Sequence, residues 1–99
     1  MRQARVKPEA FRYFHNSKTY YLVATVTEPV VNENVITILK ETIIQIVFDS
    51  QTLGSINLPD SKELLVTIED IAHEVFVRGR RVLRFSCTRI NEEDQWGSD

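Results

Sequence analysis

Three glycines, three prolines and one cysteine in 99 residues leave this chain few means of bending or cross-linking itself. So little turn punctuation argues against a sandwich of many short strands and points to longer elements, helices among them. The single Cys87 excludes an internal disulfide. With only two histidines, no Cys/His group stands at metal-ligand spacing, so no metal or other cofactor is expected. Gly54, Gly79 and Gly97 are too scattered to form a phosphate-cradling loop. No segment approaches the roughly 20 apolar residues needed to span a bilayer. The basic start "MRQARVKPEAF" is not followed by an apolar run of signal-peptide type, so a cytoplasmic location is expected. Neither charge sign dominates: twelve basic and fourteen acidic residues give a formal charge of −2, and any grip on nucleic acid would have to be local.

Hydrophobic content of 42% is enough for one domain with one core. Residues 1–8 read as a flexible basic lead-in, 9–90 as the domain and 91–99 as an acidic flexible tail in which Trp96 could dock. Two β-rich runs, Ala10 to Phe14 and Thr19 to Thr27, flank "HNSK", whose Asn16 and Ser17 favour a hairpin turn. Next comes "NENVITILKETIIQIVFDS", with Ile36, Leu39, Ile43 and Val47 at helical spacing. A single strand from Val35 to Phe48 would run about 45 Å. The segment is therefore divided into a helix from Glu33 to Ile43, capped by Asn32 or Asn34, and a strand from Ile44 to Asp49. The alternative is a second bent hairpin turning at "LKET".

Beyond Gly54 and Pro59, the residues Leu64, Leu65, Ile68, Ile71, Ala72, Val75 and Phe76 fit one face of an amphipathic helix. Asp60 and Glu63 resemble a capping box, and Arg78 with Gly79 supplies a stop signal. A last strand, "VLRFSCTRI", sends Leu83, Phe85 and Cys87 one way and Arg84, Ser86 and Thr88 the other. The expected fold is α/β in the order β-β-α-β-α-β, a four-stranded mixed sheet with two main helices.

Catalysis has no visible carrier. His15 falls in a turn and His73 on the polar side of the expected helix; no serine sits in a nucleophile elbow, and nothing near Cys87 favours a thiolate. A non-enzymatic protein is expected. The stretch "AHEVFVRGRRVLRFS" admits two readings. Its arginines are a helix cap and a solvated strand edge, or they converge with Arg2, Arg5 and Arg12 into a phosphate contact.

The hairpin "FRYFHNSKTYYLVATVTE", the strand "IVFDS" and the stretch "DSKELLVTIEDIAHEVFVRGRRVLRF" together resemble a STAS domain, the family of bacterial anti-sigma factor antagonists. That resemblance covers roughly Ala10 to Ile90. It implies a regulatory protein–protein module whose partner is an anti-sigma factor or a kinase-like regulator. It places the partner-binding loop at Asp60, Ser61 and Lys62, with Ser61 the phosphorylatable residue, or in a second register at Asn57 and Leu58. The string "VFVRGRRVLRF" is also similar to the signature of Sm-like small β-barrel proteins, which implies RNA binding through Arg78, Arg80, Arg81 and Arg84. A structural subunit without a switch is the third expectation.

Overall fold

The computed structural model describes residues 1–30, 38–54, 56–58 and 62–92. Its elements run β1 (Arg2–Phe14), β2 (Thr19–Val26), β3 (Ile43–Phe48), α1 (Ser50–Leu53), β4 (Leu64–Ile68), β5 (His73–Val77) and β6 (Arg80–Glu92). Strand β1 pairs antiparallel with β2 and with β4, β2 with β3, and β4 with β6. A parallel pairing of β3 with β6 joins the two ends of this series. The strands therefore close into a barrel in the order β1-β2-β3-β6-β4, and β5 hangs from β6 as the second arm of a hairpin. This overturns the expected α/β fold with two main helices.

Alternation explains the closure. Leu22, Ala24 and Val26 of β2, Ile44, Ile46 and Phe48 of β3, and Leu64, Val66 and Ile68 of β4 are all buried. They point inward at every second position, as a strand requires. Ala4 and Val6 do the same in β1 until the register shifts between Pro8 and Ala10. A bulge there bends the strand, so that its first half serves β4 and its second half serves β2. Pro8, which has no N–H for a ladder, is tolerated at such an irregularity. Residues 2–8 are thus built into the barrel rather than forming a lead-in, and Arg2 is ion-paired with Asp70 at 2.9 Å.

The expected helix from Leu64 to Phe76 is instead β4, a bend over residues 69–72, and β5. Val66, which the helical reading passes over, completes the inward triad with Leu64 and Ile68. The bend then shifts the phase, which is why the apolar positions mimic a 3.6-residue period. The expected helix from Glu33 to Ile43 fails at its visible end: Ile38 bridges to Val30, and a turn over Lys40 and Glu41 leads into β3. Its proposed caps Asn32 and Asn34 lie outside the described residues, as does Trp96. The one described helix is the single turn α1, capped by Asp49, whose Oδ1 accepts from the Thr52 N–H at 2.8 Å. Hydrogen bonds from Thr52 hold the Asp49 carboxyl below its ordinary value.

Gly79 is not a helix stop. Arg78 and Gly79 both have positive φ, 52° and 79°, and Val77 pairs with Arg80 across them. This is the two-residue primed turn whose twist matches a hairpin. A Cβ added at Gly79 would meet nothing within 4 Å. Gly79→Ala should therefore lower stability only through its backbone, by about 1–2 kcal/mol, as a thermal unfolding curve would register.

Burial raises the Cys87 thiol to about 11, partly offset by hydrogen bonds with Arg89 and Thr67. Folded protein should resist a thiol-alkylating reagent at mildly alkaline pH, and the unfolded chain should react readily. Because the folded value lies above the ordinary 9.0, Cys87 contributes stability that is whole below pH 9 and is lost as pH rises toward 11. Denaturant midpoints measured across that window would track the loss, and Cys87→Ala would remove this component.

Candidate functional site

The outward positions of the barrel wall are set by the same alternation. Register places Tyr21 beside Val47, Val23 beside Gln45, and Thr25 beside Ile43 on β2 and β3. The parallel pairing then sets Gln45 beside Arg84 and Val47 beside Ser86. On the other flank, Arg12 of β1 stands beside Tyr21. Since the partners Leu22, Ile44, Ile46 and Phe85 fill the interior, these intervening residues form one outer face.

A polar and aromatic group lies at its centre. The Arg84 guanidinium sits over the Tyr21 ring at 4.5 Å, and Arg84 Nε donates to Gln45 Oε1 at 3.0 Å. Gln45 is buried despite its polarity, so this hydrogen bond answers the desolvation of its amide oxygen. Phe14 packs against Tyr21 with ring centroids 4.6 Å apart, and the Arg12 guanidinium is 6.0 Å from the Phe14 ring. Arg12 and Arg84 thus flank a pair of aromatic rings, Phe14 and Tyr21, across the wall from β1 to β6.

Next to this group opens a groove of about 700 Å³ between β2–β3 and the β5–β6 hairpin. Arg78, Arg80 and Arg81 line one side; Val23, Ile43 and Gln45 lie opposite. Glu41 is an acidic lining residue. Arg81 is only loosely held by Glu74 at 3.5 Å, an exposed pair of small energetic weight. Three arginines converging on a concave surface give a local positive field that the net charge of the chain does not reveal.

Arg78 is also conformationally expensive. A long side chain at φ 52° occupies a turn position that Asn or Gly fills with less strain. Non-glycine residues held there point toward function when they face a site. Arg78→Asn is expected to raise stability by about 0.5–1 kcal/mol while weakening binding of an anionic ligand. Parallel melting and titration experiments would check this opposed pair of effects.

The other sequence-derived sites fare differently. Arg2 and Arg5 do not join the groove: Arg2 engages Asp70 and Arg5 lies 3.7 Å from Glu28. Asp60 and Ser61 lie outside the described residues. Asn57 is exposed but Leu58 is buried in the core at 1% exposure and has no surface to offer a partner. Lys62 leads into β4, where the expected helix from Leu64 would have begun. Tyr21, Phe14 and Gln45 escaped the sequence reading. The alternation in "TYYLVATV" was the one available signal for Tyr21, and nothing local announces that Gln45 meets Arg84.

Among the described residues no group of three or more His, Cys, Asp or Glu side chains is placed to hold a metal ion. No described helix is long and apolar enough to cross a membrane. No protein-family model, curated protein or solved structure matches the chain.

Proposed function

We propose that this protein is a non-enzymatic binder of single-stranded nucleic acid, held in the groove between β2–β3 and the β5–β6 hairpin. The observation that carries the proposal is the convergence of Arg78, Arg80 and Arg81 on that groove, beside Arg84 and the aromatic residues Tyr21 and Phe14. Single strands are gripped by positive grooves that follow the phosphates and by side-chain faces on which unpaired bases stack. A duplex hides those base faces, so the apolar side of the groove, Val23 and Ile43, favours an unpaired strand.

The connectivity supports the same reading by analogy alone. Five-stranded Greek-key barrels of the OB kind bind oligonucleotides or oligosaccharides on the face of their second and third strands and the adjoining loops, although a fold does not by itself determine function. Here β2 and β3 supply that face. Three arginines favour a phosphodiester over a neutral sugar chain. The partner-switching reading drew on a family resemblance and on an expected helix from Leu64 to Phe76, and that stretch runs as β4 and β5 instead.

Fluorescence anisotropy with a labelled single-stranded oligonucleotide tests the proposal. Binding should weaken linearly in a log–log plot against salt, with a slope of about −0.7 for each phosphate neutralised, and an equivalent duplex should bind less tightly. Absence of binding to both DNA and RNA single strands at low salt would overturn it.

A further inference from the structure

One polar side chain on the groove wall has its hydrogen-bonding sense fixed from behind. Gln45 lies on β3, pairs with Val23 of β2, and is only 8% exposed. Its amide carries one acceptor, Oε1, and two donor hydrogens on Nε2. A guanidinium can only donate, so the bond of 3.0 Å from Arg84 Nε must take the oxygen. The amide cannot turn over without setting N–H against N–H, and Arg84 is itself held over the Tyr21 ring at 4.5 Å. Nε2 is left to face the other way. It meets no acceptor among the described residues, whose fully buried side-chain nitrogens and oxygens all have partners. The opening left to it is the groove that Gln45 lines. A ligand that displaces water there must supply an acceptor at this point or leave the amide unpaired.

We propose, on the reading of this groove as a single-strand site, that Gln45 selects the base: it donates from Nε2 to a ring carbonyl and so favours guanine, thymine and uracil over adenine and cytosine. The last two carry an amine at the position where the others carry that oxygen, and an amine would set donor against donor. Arg78, Arg80 and Arg81 face the phosphates on one side of the groove, which lays the base across Val23 and Ile43 with its edge toward Gln45. Glutamine ordinarily reads adenine through its amide oxygen and nitrogen together. Here Arg84 occupies the oxygen, and that pairing is closed.

The other groups on the base side discriminate less. The Thr42 hydroxyl rotates to donate or to accept. Glu41 only accepts, but it is exposed in the turn before β3, where water competes for the same bond. A desolvated group such as Gln45 rejects the wrong base more strongly, because the mismatch leaves it unpaired.

Fluorescence anisotropy with labelled deoxyuridine and deoxycytidine oligonucleotides tests the assignment. The two strands share a backbone and differ where uracil carries a carbonyl and cytosine an amine, and at the ring nitrogen beside it. The uracil strand should bind about tenfold tighter, the size of one hydrogen bond gained against one donor left unpaired. That ratio should hold as added salt weakens both strands together, because phosphate contacts carry no sequence information. Gln45→Glu keeps an oxygen for Arg84 and turns the donor into an acceptor. Both strands should then bind less tightly because of the added negative charge, and the preference should invert to cytosine. Arg84→Ala leaves Gln45 in place but releases its amide to turn over, so the ratio should fall toward one. Circular dichroism confirms the fold of each variant. Equal binding of the two strands by wild type, or a preference for uracil that survives either substitution, would overturn the assignment and leave the groove as a single-strand site. Failure of wild type to bind either strand at low salt would overturn both.

Discussion

Replacing Arg78, Arg80 and Arg81 together by glutamine should lower affinity for a single-stranded oligonucleotide by about a hundredfold at about 0.1 M salt. The magnitude follows from counterion release. Each phosphate neutralised on a single strand adds about 0.7 to the salt exponent, so three lost contacts remove about 2 from the slope. The same triple variant should then bind almost as well as wild type when both are extrapolated to molar salt, where release of counterions no longer drives association. Stability should change little, because all three side chains are exposed and the Arg81 ion pair with Glu74, at 3.5 Å, is a loose one. An unaltered salt slope in the variant would mean that the phosphates lie elsewhere. Arg84→Ala separates the two halves of the site: it should cost affinity with little change in slope if Arg84 acts mainly through Tyr21, as its position 4.5 Å over the ring indicates.

The sequence carried the strands it could express locally. Thr19 to Val26 alternates cleanly, "HNSK" holds the residues of a turn, and "VLRFSCTRI" sorts its residues by face as the barrel does. What it could not express were pairings between distant segments. The parallel contact of β3 with β6, which brings Gln45 to Arg84, joins residues 39 apart and leaves no periodic trace. The stretch from Leu64 to Phe76 misled for a physical reason. A bend of four residues between two strands offsets one alternating pattern against the next, and the sum resembles a helical stripe. The scarcity of glycine and proline misled too. This barrel turns partly on non-glycine residues at positive φ, namely Lys18, Glu41 and Arg78, so composition understated how many turns the chain makes. The arginines of "VRGRRVLR" were legible as a cluster; their convergence became visible only with the hairpin that folds them over β3.

Ile46→Ala should be the most damaging of the conservative single changes, while Val47→Ala, one residue along, should be nearly silent for stability. Ile46 is fully buried at the centre of β3, between β2 on one side and β6 on the other, and its removal leaves a cavity where both neighbours are also packed. Such truncations cost about 2–5 kcal/mol, and in a domain of this size each kcal/mol lowers the midpoint by about 4–8 °C. Against a total stability of about 5–15 kcal/mol, the variant should melt at least ten degrees or so below wild type or fail to fold cooperatively. Ile46→Val, which keeps most of the volume, should cost about 0.5–1.5 kcal/mol and so stays measurable where the alanine does not. Val47 points to the outer face beside Tyr21 and Ser86, where lost methyl groups expose little new core. A stability order reversed between these two positions would mean that β3 is registered one residue out. Such a slip moves every side chain of the strand to the opposite face, and would bury Gln45 in the barrel while turning Ile44 and Ile46 into the groove. The pair of midpoints therefore tests the geometry on which the arginine groove depends, without any ligand.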